Sequence, residues 1–554
     1  MTQKIRFLDR FRRSGTEYER NLIEGAFQGR VSRRELLRHG SVLGMSLTML
    51  ESISLAAGLG GATMIRPASA APGGTLKIAS GTPSTALDPV IVPDSYGLAI
   101  LQQTGEYLAI DGPDLVLRPC LATSWSPNST GTVWTFKIRT GVKFHTGAAL
   151  TAKDVAASIN RLADPKNKSN ALSALRGVLS PGGAVATDDE TVEFHLDAPN
   201  GNFPYIVSSD NYNAIILPAD YAGDWEKTFI GTGPFKLEKY TPKVGVSFVR
   251  NPDYWGAKAL PDRTEFTFYT DVQPQILALQ GGDVDIIRNV PVLAALPILN
   301  DPKLNVISIG SAAHQQVHMR CDTGPFADKR VRQALALTLD REKIIQGLLR
   351  GRAKVGNDSP FAALYPSTDK AVPQRKQDLA KAKQLLEAAG VGKGFKVTLT
   401  TETYLEIPQY AQLIQSAAKQ IGIEIDLKIE DAGAYYGDAV FGKSDWLDSS
   451  LGITDFGHRG VPNVFLAAPL LSDGSWNAAH FKNAEYDGLV KSYVGALDLD
   501  AQRAQSGKIE SLLLDETPII FGYFYDNLSV TAKSVTGVET NAMGHIFLDK
   551  ATKG

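Results

Sequence analysis

Between Val133 and Leu162 the apolar period of the chain changes from two to helical across a glycine-punctuated turn. Trp134, Phe136 and Ile138 alternate with Val133, Thr135, Lys137 and Arg139, the pattern of a half-buried strand. Gly141 and Gly147 mark turns on either side of Val142-Lys143-Phe144. Thr151 and, three positions later, Asp154 supply a cap and an acidic first turn for a helix Ala152–Leu162. A chain of 554 residues is too long for one such unit around one core; its length suggests ~3 domains.

Other segments repeat this mixed character. Thr75–Ala79 reads as a first strand and Ile100–Tyr107 as the end of a helix; Ala184–Leu196 is strand-rich. After the breaker Gly231-Thr232-Gly233-Pro234 come candidate strands Gly245–Arg250, Glu265–Tyr269, Val284–Ile287, Val306–Ile309 and Gln316–Arg320. A helical pattern spans Lys329–Leu349, and another Asp378–Ala389. Strands Lys396–Thr400 and Ile423–Ile429 flank a helix Gln409–Ile421, which predicts a βαβ unit. Helices Tyr486–Leu497 and Ala501–Thr517 precede a last strand, Ile519–Tyr525.

The wording of three blocks adds to this. LATSW, TFKIRTGVKFHTG and LTAKDV in residues 118–161, GTGPFKLEKYTPKVGVSFVRNPDYWG at Gly231–Gly256 and PFADKRVRQALALTLDREKII at Pro325–Ile345 stand in one order. LALQGGDVDII (Leu277–Ile287) lies between the last two. Together they resemble the family 5 solute-binding proteins of ABC importers, the peptide and nickel receptors. The resemblance implies an α/β fold of the class II-like periplasmic binding protein type, in its large three-domain form, with two lobes, a hinge and an interlobe ligand cleft. It implies lobe 1 from residues 71–110, 228–322 and 518–554, an accessory domain at 111–227 and lobe 2 at 323–517.

Residues 1–70 differ from the rest. They carry 11 basic and 6 acidic residues, which leaves a net charge of −7 on the remainder. A mildly acidic body gives no reason to expect nucleic acid as a partner. Ser32-Arg33-Arg34-Glu35-Leu36-Leu37-Arg38 precedes a weakly apolar run, Gly40–Ile65, and then Ala68-Ser69-Ala70. That order is an n-region, h-region and cleavage site, and the arginine pair resembles the twin-arginine export motif. The expectation is a mature chain beginning near Ala71, free in the periplasm; no cysteine follows the run to take a lipid anchor. The other reading is an amphipathic surface helix with an accidental arginine pair. Cys120 and Cys321 lie 201 positions apart and read as two buried thiols, with a disulfide as the alternative.

Catalytic motifs are absent: the chain has no GxSxG, HExxH, P-loop or Rossmann glycine pattern. His314 and His318 have zinc-helix spacing but sit in a strand-like context, where alternation alone puts them on one face. His145, in the FHTG turn, reads as structural. The family resemblance implies that Asp455, in Gly452-Ile453-Thr454-Asp455-Phe456-Gly457, pairs with a ligand's α-amino group. His458 and Arg459 stand where the family has an acidic, proline-containing stretch, and Arg459 suits an acidic ligand group. Leu399–Tyr404 lacks the arginine that dipeptide receptors carry near that strand, so Glu402 and Tyr404 become candidate lining residues. Tyr96, Trp446 and Trp476 are candidate cleft walls, with core packing as the competing reading.

The function implied is a periplasmic substrate-binding receptor that delivers a peptide or amino-acid-derived solute to an ABC permease and its ATPase. It is expected to act as a monomer, with no catalysis, no cofactor and no metal site. The alternatives are an opine, sugar or nickel-complex receptor of the same family, a chaperone-like periplasmic peptide binder, and a periplasmic hydrolase.

Overall fold

The computed structural model describes residues 15–60 and 73–554. Two large sheets dominate. The first has seven strands in the spatial order Leu304–Ile309, Asn527–Ala532, Ile286–Arg288, Thr75–Gly81, Arg263–Tyr269, Gly245–Arg250 and Phe235–Thr241. The second has six: Ala353–Val355, Ile519–Tyr525, His314–Met319, Leu451–Phe456, Phe395–Glu402 and Ile423–Glu430. Each covers its own apolar cluster, one around Ile78, Phe248 and Phe266, the other around Val317, Leu399 and Ile453. A smaller four-stranded antiparallel sheet contains Val133–Ile138. There Trp134, Phe136 and Ile138 point inward as the alternation predicts.

The βαβ unit is present: Phe395–Glu402 and Ile423–Glu430 pair in parallel across the helix Ile407–Lys419. The helical pattern Lys329–Leu349 is two helices, Lys329–Ala336 and Arg341–Leu349. Asp340 breaks it by capping the second, its side chain accepting the Lys343 amide.

The sheets divide the chain at different points from those the sequence suggested. His314–Met319 and Ile519–Tyr525, expected on lobe 1, sit near the centre of the second sheet. The lobes are therefore joined by two short crossings, one after Ile309 and one at Asp526. The crossings lie side by side. Ser308 donates to the Asp526 carboxylate (2.6 Å), Ser311 to the Tyr525 carbonyl (2.6 Å), and the Tyr525 amide to the Ala313 carbonyl (2.9 Å).

The wording of the first two blocks has a structural cause. Glu106, buried, accepts from Thr232 (2.6 Å), Tyr254 (2.7 Å) and Trp255 (2.8 Å), all of the second block. His145 of the first block bonds the Gly233 carbonyl at 3.0 Å, the structural role expected of it. Donors from three sides offset the cost of burying the carboxylate. Cys120 and Cys321 are both free thiols.

Residues 17–57, within the expected leader, form three helices, Glu17–Phe27, Arg33–Val42 and Leu47–Ala57, around their own apolar cluster. They are docked on the body. Arg38 is 2% exposed and donates to the Tyr205 hydroxyl (3.1 Å) and to the carbonyls of Leu364 (2.6 Å) and Gly460. Glu35 pairs with Lys370 (2.8 Å) and Arg503 (3.1 Å). The Trp125 indole donates to the carbonyls of Ser41 and Val42. The helices thus touch both the small-sheet domain and lobe 2. Ala68-Ser69-Ala70 and Ala71 lie outside the described residues. Among the described residues no helix is long and apolar enough to cross a membrane.

Candidate functional site

Asp455 lies on the strand Leu451–Phe456, opposite Gln315 on one side and next to the parallel strand ending at Glu402 on the other. Both acids therefore stand at the carboxyl ends of neighbouring parallel strands, where open α/β sheets take their ligands. Two residues beyond Tyr404, Glu406 begins the helix Ile407–Lys419. Glu402 and Glu406 are each 4% exposed, and Asp455 is half-buried.

Hydroxyls and amides, not cations, face these acids. Tyr525 donates to Asp455 at 2.8 Å, Tyr436 to Glu402 at 2.5 Å, and the Leu293 amide to Glu406 at 3.1 Å. Burial, then the charges of Glu402 and Glu406, pushes the Asp455 carboxyl up to about 8. Burial likewise raises Glu402 and Glu406. Among the described residues no lysine, arginine or histidine forms an ion pair with any of the three. Between Tyr404 and Glu406, Leu405 takes a positive φ of 42°, a costly conformation for a branched side chain that the surrounding contacts must hold.

Tyr96 faces this group from lobe 1. It opens the helix Ser95–Thr104, whose first amides are capped by Asp94 (2.9 and 2.8 Å). Its ring lies on Gly81, where a Cβ would come within 2.4 Å of it. Tyr96, Asn289 and Leu405 line one cavity of about 280 Å³, so the two lobes meet there. Tyr404 is 37% exposed and within electrostatic reach of Tyr96 and Asp455. Nearby, Arg288 is 2% exposed, has the Gly544 carbonyl as a partner and leaves two of its nitrogens unbonded.

The predicted residues thus separate. Asp455, Glu402, Tyr404 and Tyr96 converge. Trp446 stands behind them: it contacts Tyr436 (5.2 Å between ring centres), the donor to Glu402, and Trp476 (6.4 Å). His458 and Arg459 turn away past the strand end. His458, 2% exposed, lies with Asp111 and Asp210, their donor atoms all within 4.8 Å. The Ala312 amide donates to His458 Nδ1 at 2.9 Å, so the neutral ring carries its proton on Nε2. That nitrogen has no lone pair for a metal, and the trio reads as a buried polar knot. His314 and His318 are buried strand histidines, as expected; His314 is ringed by Phe456, Phe465, Phe521 and Phe524.

Sequence reasoning missed Glu406, Tyr525, Tyr436 and Arg288. Glu406 shares the segment Glu402–Glu406 with two residues that were singled out, and that spacing was a usable signal. The other three reach the cleft from distant segments and carry no local mark.

Two sheet-bearing lobes joined by paired crossings, with a cavity where they meet, are the architecture of a two-lobed solute receptor. The model of the bacterial extracellular solute-binding proteins, family 5, matches residues 116–465. The chain belongs to that family, the extracytoplasmic receptors of ABC importers. It is 26% identical over 498 residues to the dipeptide-binding protein DppE of Bacillus subtilis, covering 85% of this chain and 90% of that one. It is 27% identical over 470 residues to the periplasmic murein peptide-binding protein MppA of Escherichia coli, covering 80% and 86%. Helicobacter pylori DppA, solved with the peptide STSA, superposes with a TM-score of 0.72 at 23% identity, covering 87% of this chain and 98% of that one. CtaP of Listeria monocytogenes gives 0.76 at 24% identity, covering 87% and 99%. The relatives named here are binding proteins.

Proposed function

We propose that this protein is the periplasmic receptor for a peptide or amino-acid-derived solute, and that it reads the solute's ammonium group at Asp455. One arrangement supports this reading: Asp455 and Glu402 stand at the ends of neighbouring parallel strands with Glu406 close by, and among the described residues their hydrogen-bond donors are the Tyr525 and Tyr436 hydroxyls and the Leu293 amide. An arriving ammonium supplies the missing charge. Where closure excludes water, pairing offsets the desolvation of both groups. Tyr436 and Tyr525 orient the acids, and Tyr96 and Tyr404 supply rigid walls. The loaded receptor delivers its solute, as a monomer, to an inner-membrane permease and its ATPase. Calorimetric titration of Asp455→Asn with a ligand of the parent protein tests the reading; unchanged affinity would remove it.

Arg33 and Arg34 act as a twin-arginine export signal in this reading. The support is their position before a weakly apolar run and an A-x-A site. Arg33→Lys combined with Arg34→Lys leaves precursor in the cytoplasm; normal periplasmic levels would refute the route.

A further inference from the structure

The N-terminal helices Glu17–Phe27, Arg33–Val42 and Leu47–Ala57 rest on both halves of the body at once, and none of their residues lines the cavity at Tyr96. The halves are distinguished by their cores. Ile78 and Phe266 of the first large sheet share one apolar cluster with Trp134 and Phe136 of the small sheet, so lobe 1 and the small-sheet domain form one body. Lobe 2 has separate clusters of its own. Where the halves meet, the Gly201 amide donates to the Val494 carbonyl (2.9 Å), Asn202 to the Asn463 side chain (3.0 Å) and the Gly460 amide to Asp210. Any motion that swings lobe 2 away from the small-sheet domain breaks these bonds.

Arg38 crosses this seam. Its Nε donates to the Tyr205 hydroxyl on the small-sheet side (3.1 Å). Its Nη1 and Nη2 donate to the Leu364 (2.6 Å) and Gly460 carbonyls of lobe 2. The ring centres of Tyr205 and Tyr365, one from each half, lie 5.6 and 5.2 Å from its guanidinium carbon, within cation–π range. One rigid fork of donors thus takes acceptors from both halves.

The rest of the segment extends the grip in both directions. On the small-sheet side, Ser41 Oγ accepts the Leu117 amide (3.0 Å), and the Trp125 indole holds the Ser41 and Val42 carbonyls. The turn that follows is closely fitted: Gly44 has a φ of 82°, and a Cβ there would stand 1.9 Å from the Trp125 carbonyl oxygen. On lobe 2, Glu35 pairs with Lys370 and Arg503, and His39 bonds the Leu497 carbonyl (3.1 Å). Leu499 joins the apolar cluster of the helices themselves.

We infer that the N-terminal helices are an intramolecular clasp, with Arg38 as its pin, that holds lobe 2 against the small-sheet domain in the full-length chain. Contacts made to both faces of a seam exist only while it is shut, so they shift the equilibrium toward the shut arrangement. Opening about the two crossings is suppressed while the clasp is seated, and loss of the helices frees it. The full-length chain is thereby a form that exchanges solute slowly. This holds whichever solute the cleft takes and whichever route exports the chain.

Hydrogen exchange read by mass spectrometry on the full-length chain, with no solute added, tests the clasp. The Gly201 and Gly460 amides are bonded across the seam, so their exchange reports its opening. Arg38→Ala removes the pin, and Gly44→Ala drives a methyl into the Trp125 carbonyl without touching any charge. In both, peptides containing Gly201 and Gly460 exchange faster by about tenfold or more, the scale of one lost charge-assisted hydrogen bond. Peptides containing Phe266 and Val317, inside the two cores, keep the parent rate. Arg38→Lys, which keeps the charge and loses the fork, gives a smaller rise at the same peptides. Parent-rate exchange at Gly201 and Gly460 in Arg38→Ala and Gly44→Ala overturns the clasp. A rise that comes only together with the core peptides in all three variants also overturns it, because the helices then support the fold and not the seam.

Discussion

Tyr525, the last residue of its strand before the second interlobe crossing, donates its hydroxyl to Asp455 Oδ1 at 2.8 Å. The hinge therefore holds the carboxylate directly. One oxygen is bound by the tyrosine, and the acid's orientation is tied to the crossing that moves when lobes open and close. Tyr525→Phe leaves the ring in place and removes this link. The expected result is weaker ligand binding by about tenfold, the scale of one charge-assisted hydrogen bond. Calorimetry checks it, with an unchanged melting curve as the control for folding.

Asp455→Asn acts in opposite directions on binding and on stability. Loss of the charged partner weakens an ammonium ligand by roughly 30- to 5,000-fold. The apo protein becomes more stable at neutral pH. The folded state holds the Asp455 proton up to about 8, whereas the unfolded chain releases it near the ordinary 3.8. Over that window the unfolded state binds fewer protons, so this residue makes stability fall as pH rises. Asparagine cannot ionise and removes that fall. Melting temperatures of apo protein and variant across the window test the sign.

The same carboxyl makes binding pH-dependent. Pairing with an ammonium requires Asp455 ionised, so below about 8 ligand binding releases a proton. Affinity for an α-amino ligand rises by at most about tenfold per pH unit toward about 8 and falls once the amine, with a value near 7.7–8.0, loses its charge. Calorimetry at neutral pH in buffers of different ionisation enthalpy reads the released proton. Asp455→Asn abolishes the rising limb.

Arg38→Ala in the full-length chain loosens the N-terminal helices without unfolding the body. Arg38 holds Tyr205, Leu364 and Gly460 from a fully packed position. Hydrogen bonds from a charged group contribute about 1.5–3 kcal/mol each, and the Gly460 carbonyl left behind is buried. Limited proteolysis should cut within residues 15–60 of the variant at enzyme levels that spare the parent, while the main melting transition stays put.

Asp358→Asn destabilises lobe 2. The carboxylate, with no exposed surface, takes Arg341 (2.7 and 2.9 Å), Arg375 (2.6 Å) and the Phe521 amide (3.0 Å). The variant leaves two largely buried guanidinium groups without their counter-charge, at a cost of about 3–5 kcal/mol. Urea unfolding should show a lower midpoint.

The sequence by itself determined the local elements and the architecture. Trp134, Phe136 and Ile138 fix a strand face because side chains alternate, and Ile407–Lys419 between two parallel strands fixes a βαβ unit because the crossover demands one. The family wording was legible because much of it is structural: Thr232, Tyr254, Trp255 and His145 sit in contiguous blocks whose bonds to Glu106 and Gly233 hold the domains together. Asp455 was legible as the residue the family resemblance implies for the ligand amine, and Glu402 as a lining candidate in a stretch without the expected arginine. Tertiary structure alone decided the rest. His458 and Arg459 follow Asp455 closely in sequence, yet the strand ends at Phe456 and sends them away from it, Arg459 to the wall of another cavity. Tyr525 and Arg288 reach the cleft from segments far away in the chain, and the strands His314–Met319 and Ile519–Tyr525 changed lobes because pairing partners, not sequence neighbours, assign a strand to its sheet. Local periodicity sets what each segment becomes; which charges then face one another across a gap depends on long-range packing, and no short stretch of sequence records it.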